Sequence, residues 1–236
     1  MKRLLKTYKA DVLAVLPVFV LITVCGVVFH QSFWRILPLY VSLIVARLQA
    51  HVNRYASLLG GLNSFLYVLV YVHYGLYASA LSAALIAGPF QIATFIRWQK
   101  HAYKHSTELR RMTVKQRAFT TVAFFLAWAL FCFVLGKIDG AAYSLFDSAN
   151  FLFGLLITIL TLLAYVEYTA LMIPNMLVNI ALFAVMTLKA PEQSTYLVYF
   201  LFALFCHIQA YFRARSLYRE QQTAKKAEPP QGDSTV

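Results

Sequence analysis

The sequence predicts an all-α integral membrane protein with about eight transmembrane helices, and three observations predict it. The composition is 61% hydrophobic and 13% charged, against about a quarter charged in a soluble domain, and mean hydropathy is +0.65. The apolar residues run in blocks of about 20, the length that crosses a ~30 Å hydrocarbon layer. The 21 Lys and Arg residues behind the net charge of +12 sit between those blocks. Loop cations of that kind set membrane orientation. They belong to no base-reading motif, so nucleic acid is not an expected partner.

Helices are expected near 11–30, 33–50, 55–73, 76–98, 118–136, 147–165, 169–188 and 194–212. The first follows Met1-Lys2-Arg3, but no small-x-small cleavage site stands near His30. It reads as a retained helix and not a signal peptide. The second is short, with Arg35 and Arg47 near its ends, and both arginines can snorkel to opposite interfaces. Parity requires it to span. With the N-terminus inside and all eight blocks crossing, all but Arg35, Lys137 and Lys189 of the 21 cations fall on the cytoplasmic side. Otherwise Arg97, Lys100, Lys104, Arg110, Arg111, Lys115 and Arg117 would lie outside, against the positive-inside rule. Both termini are therefore expected in the cytoplasm. The basic loop from Gln99 to Arg117 reads as a topology signal in contact with lipid headgroups. The tail from Gln221 is polar and expected to be disordered. Cys25, Cys132 and Cys206 each stand alone in an apolar block, so no disulfide or metal framework is expected.

One constant offset lays the second, third and fourth helices over the sixth, seventh and eighth. Asn63 then falls on Asn179, Gln91 on His207, Phe95 on Tyr211 and Arg97 on Arg213. This divides the chain into an N-terminal tail with an extra transmembrane helix (1–32), a first three-helix repeat (33–98), a basic loop with a linker helix (99–137), a second three-helix repeat (138–216) and a cytoplasmic tail (217–236). The single linker helix gives both repeats the same orientation. A pseudo-two-fold along the membrane normal then places a substrate site at the repeat interface.

Scarce polar residues mark that site. Asn63 lies ~12 Å and Gln91 ~10 Å from the cytoplasmic surface at 1.5 Å per residue, with Asn179 and His207 at matching depths. Tyr67 stands i+4 from Asn63, Phe95 and Trp98 i+4 and i+7 from Gln91, and Tyr211 i+4 from His207, which adds an aromatic wall. The competing reading is that these groups hold helices together, with Trp98 an interfacial belt residue and His207 a packing residue. Asp147, Glu167, Arg54 and Tyr55 fall at helix ends and read as solvated or capping groups. The small residues of the run Ala78 to Ala84 read as helix packing. No phosphate loop points to ATP, no mid-helix carboxylate to a proton relay, and no paired acids or nucleophile to an enzyme. No cofactor or metal site is expected.

The stretch Asn63-x3-Tyr67-x7-Gly75-Leu76-Tyr77, followed by Pro89-x-Gln91 and Trp98, resembles the first half of the PnuC-type vitamin transporters, over about 33–216. The resemblance implies a SWEET-like 3+1+3 helix core, to which the first helix is an addition, and facilitated diffusion with intracellular trapping by phosphorylation. A Trp-x-x-Trp pair in that family reads Phe95-Ile96-Arg97-Trp98 here, so the implied substrates extend from nicotinamide riboside to thiamine, riboflavin or a nucleoside. The expected function is passive uptake of such a molecule across a bacterial plasma membrane by alternating access. Asn63, Gln91, Asn179 and His207 would hydrogen-bond it, and Tyr67, Phe95, Trp98 and Tyr211 would stack on its ring. Besides this small molecule the expected partner is membrane lipid, and a homo-oligomer is left open. The alternative is a non-transporting membrane receptor or assembly subunit.

Overall fold

A computed structural model describes residues 2–73, 83–135, 137 and 144–227. Among them are eight α-helices: α1 (Lys2–Val28), α2 (Phe33–Ala50), α3 (Tyr55–His73), α4 (Gly88–Lys100, preceded by a π turn, Ala83–Ala87), α5 (Val114–Leu135), α6 (Ser144–Leu162), α7 (Tyr168–Lys189) and α8 (Ser194–Ala227). Helices α2 and α3 have the bounds expected from sequence. The beginning of the fourth helix, with Gly75, Leu76, Tyr77 and most of the small-residue run, lies outside the described residues.

Among the described residues five helices are long and apolar enough to cross a membrane: Lys9–Val28, Phe33–Ala50, Val114–Val134, Tyr168–Lys189 and Pro191–Ala227. Tyr55–Leu69 and Ser148–Leu162 are shorter apolar helices. The outward faces carry Leu13, Val27, Phe119, Leu126, Leu130, Phe133 and Leu188, each more than half exposed. In water such a surface would aggregate. In a bilayer it is the lipid face.

The helices α2, α3, α4, α6, α7 and α8 pack in that order, and α8 closes the ring against α2. Among the described residues α5 packs chiefly on α6, and α1 packs on both α2 and α8. The α2·α8 junction is tight because Ala46, Ala50, Ala203, Ala210 and Ala214 are all fully buried, and small side chains let helix backbones approach closely. It is pinned at both ends. At one end Gln31 Nε2 donates to Glu192 O (2.6 Å) and Thr195 Oγ1 (2.9 Å). At the other, Arg47 donates to Asp11 (2.7 Å) and to Gln209 (2.6 Å), and His51 meets Asp11 and Arg213. Burial holds the His51 imidazole below its ordinary pKa of 6.5, against the opposing pull of Asp11.

One expectation needs correction, and one loop holds more structure than its composition suggests. Helix α8 does not end near 212 but runs to Ala227, so residues 221–227 are helical; Gln221 is 3% exposed and too well bonded to be a loose tail. The 99–117 loop is not simply a charged connection. Ala102–Tyr103 and Ser106–Thr107 form a two-stranded hairpin, and Arg110 bridges in parallel to Tyr165.

Candidate functional site

A cavity of about 100 Å³ lies between the α2–α3 turn, α3, α4, α6 and α7. It sits at the end of the ring that carries the basic 99–117 loop. Gln49, Asn53, Ser57, Gln91, Thr94, Thr158 and Thr161 contribute amides and hydroxyls, and Trp98 and Tyr168 contribute rings. Among the described residues the lining holds no Asp, Glu, Lys or Arg. Its floor includes Val52, whose φ of 52° is a left-handed conformation that β-branched residues rarely adopt. That geometry comes from the abrupt α2-to-α3 turn, where Val52 N bonds to Gln49 O at 2.8 Å and Asn53 Oδ1 accepts from Tyr55 N at 3.0 Å.

Each wall has a local cause. Gly60 and Gly61 of α3 let α4 approach, because a Cβ on Gly61 would stand 3.1 Å from Gly88 O. That closeness brings the Gln91 amide against α3, with Nε2 3.4 Å from Ser64 Oγ. Trp98 is 2% exposed. Its Nε1 donates to Thr161 O at 2.9 Å, and its ring meets Tyr168 edge-on at 6.1 Å between centroids.

Of the eight residues singled out from sequence, Gln91 and Trp98 line this cavity. Asn63 is 5% exposed, and its Nδ2 donates to Pro38 O (3.1 Å) and Ser42 Oγ (2.8 Å) of α2. Tyr67 reaches the same Ser42, at 3.3 Å. Asn179 is 4% exposed and donates to Asn150 Oδ1 of α6 at 2.7 Å and to Asn175 O at 2.9 Å. The two asparagines thus do matching work, each tying its helix to the preceding one. His207 is 4% exposed, and its Nδ1 has no hydrogen-bond partner among the described residues. Phe95 packs on Tyr55 at 5.5 Å, and Tyr211 lies beneath the Arg215 guanidinium at 4.2 Å. Glu167 accepts from Arg117 at 2.8 Å and from Met112 N, anchoring α5 as more than a solvated helix end. The Asp147 side chain lies outside the described residues.

The offset that pairs Gln91 with His207 also pairs Thr94 with Ala210 and Trp98 with Ala214. On the α8 side all three are buried, and two of them are alanines where α4 carries a hydroxyl and an indole. Sequence alone missed Thr158, Thr161 and Tyr168, whose polar spacing on α6 and α7 is the one signal that would have found them.

Comparison with known proteins gives a consistent result. Residues 32–213 match the family model described as nicotinamide mononucleotide transporter. A solved structure of the vitamin B3 transporter PnuC superposes with a TM-score of 0.73 at 20% identity, covering 89% of this chain and 92% of that one. No curated protein sequence matches significantly.

Proposed function

The chain belongs to the nicotinamide mononucleotide transporter family, and we propose from that premise that it carries a small ring-bearing vitamin or nucleoside across the bacterial plasma membrane by facilitated diffusion, both termini cytoplasmic. Nicotinamide riboside is the substrate the site suits best. The observation that carries this reading is the uncharged cavity between α4 and α6–α7, with hydroxyls and amides beside two aromatic rings. Ribose hydroxyls and a carboxamide find neutral hydrogen-bond partners in Gln91, Thr158 and Thr161. A cationic pyridinium ring finds the faces of Trp98 and Tyr168, which attract cations.

The same lining argues against a mononucleotide. A phosphate dianion brought into a partly buried site needs a cation beside it, and among the described residues no Lys or Arg lines the cavity. Phosphorylation of the product inside the cell would therefore prevent its return.

At about 100 Å³ the cavity is smaller than the 300–1,000 Å³ typical of ligand sites. Binding must widen it. We read α2–α4 and α6–α8 as two three-helix repeats that rock about the tight α2·α8 junction, which α1 braces, and part at the α4·α6 side where the cavity lies. Alternating access of this kind is a common plan among transporters built from repeats.

Titration calorimetry on detergent-purified protein tests the substrate assignment. Nicotinamide riboside should bind, and nicotinamide mononucleotide should bind at least tenfold more weakly. Tighter binding of the mononucleotide would refute the assignment.

A further inference from the structure

Residues 101–113 form a strap across the basic end of the ring. Arg54 N donates to His105 O at 3.1 Å, which ties it to the α2–α3 turn. His105 Nε2 lies 3.0 Å from His51 O, and because a carbonyl can only accept, that nitrogen carries the proton. Arg110 N donates to Ala164 O (2.8 Å) and Val166 N to Arg110 O (2.9 Å), which tie the strap to the α6–α7 turn. Thr107, Glu108 and Arg110 meet Arg97, Trp98, His101, Leu163 and Ala164 around a recess of about 20 Å³. Trp98 borders both this recess and the larger cavity. A solute leaving the cavity past Trp98 toward this end therefore meets the strap.

One side chain holds the middle of the strap from outside the ring. Gln221, on the part of α8 beyond the family match, donates from Nε2 to Thr107 O at 2.9 Å and accepts from Leu109 N at Oε1, also at 2.9 Å. The amide thus pairs with a carbonyl and an N–H two residues apart on one edge of an extended segment, the pairing a neighbouring strand would make. Both ends of the amide are used, and the residue is 3% exposed. Two exposed ion pairs, Lys104–Glu220 and Lys225–Glu108, flank it.

We propose that the 101–113 strap is the cytoplasmic gate and that Gln221 is its latch, a positioning residue whose release from Thr107 and Leu109 sets the rate of solute exit. This inference rests on the transport reading above and adds the element that controls it. Exit requires the strap to leave α8, while the substrate cavity keeps its own contacts on the far side of Trp98.

Two variants test it. In a background with the three native cysteines replaced by alanine, Glu108→Cys and Lys225→Cys stand where the parent side chains pair tip to tip at 3.3 Å, and a bis-methanethiosulfonate cross-linker about as long as those two side chains together joins the thiols and fastens the strap to α8. Counterflow in proteoliposomes should fall at least tenfold on cross-linking and recover with reductant, with riboside affinity changed less than twofold. Full counterflow with the cross-link formed would overturn the proposal. In Gln221→Leu, hydrogen exchange at the Leu109 amide should quicken about tenfold, the loss of one buried hydrogen bond, while exchange in α6 and α7 stays the same. Unchanged Leu109 exchange would overturn the latch even if that variant were too unstable for transport. If the unmodified chain exchanged no solute at all, the transport reading would fail instead, and the latch would be judged on exchange alone.

Discussion

Gly60 and Gln91 offer a way to disturb the site without unfolding the protein. A Cβ at Gly60 would sit inside contact distance of Gln91 Oε1 and 3.3 Å from its Cδ, while Val45 Cγ1 at 3.6 Å is in ordinary contact. The atoms in conflict are the far end of a flexible side chain, so in Gly60→Ala the Gln91 amide must swing away, by on the order of 1 Å, and the helices need not move. Alanine also gains ~0.5–1 kcal/mol over glycine in a helix interior, which offsets much of the cost. Stability should therefore hardly change. If Gln91 hydrogen-bonds the substrate, its displacement costs ~1–3 kcal/mol, a roughly 5- to 150-fold rise in Kd. Gly61→Ala is the control, because its Cβ meets the Gly88 backbone carbonyl at 3.1 Å and Ile92 at 3.0 Å. It should push α3 from α4 and lower the melting temperature. Calorimetry and thermal unfolding on both variants decide the matter: unchanged affinity in Gly60→Ala, with melting preserved, would remove Gln91 from the site.

Asn63→Leu and Asn179→Leu should lower the melting temperature by a few degrees, since interhelical hydrogen bonds average ~0.6 kcal/mol, and leave riboside affinity within about threefold; a large affinity loss with intact stability would return them to the site. Trp98→Phe keeps a ring in the wall but removes the Nε1 bond to Thr161 O, which still accepts from Ala164 N at 3.0 Å, so thermal unfolding should show a loss of about 0.5–1 kcal/mol and calorimetry a weaker riboside complex. His51 has its folded pKa below the unfolded 6.5, so the unfolded chain binds more protons as pH falls through that range, and stability should decline between pH 7.5 and 5.5. The decline should be shallower in His51→Gln, and an equal slope would exclude His51 as its source.

Much of the architecture was legible in the sequence because hydrophobic blocks report directly on where apolar helices lie. The bounds of α2 and α3 followed from those blocks, and the matching work of Asn63 and Asn179 from the constant offset between the two helix sets. Direction was not legible. Gln91 turns to the cavity, while Asn63 spends its amide on Pro38 and Ser42 of α2. Which face a polar residue takes depends on where its neighbours offer acceptors, and no periodicity records that. The strap was illegible for a related reason: its strands are two residues long and its latch, Gln221, lies in a stretch whose composition reads as tail. The ion cluster of Asp11, Arg47 and His51 likewise draws in Gln209 and Arg213 from α8, far off in sequence, and only packing brings it together.

Radiolabelled riboside uptake into proteoliposomes loaded with unlabelled riboside tests the central claim most directly. With no ATP, no ion gradient and no membrane potential, label should enter by exchange and, in unloaded vesicles, stop when the concentrations are equal. Label that fails to enter loaded vesicles, while the same protein binds riboside, would mark a receptor and contradict the account.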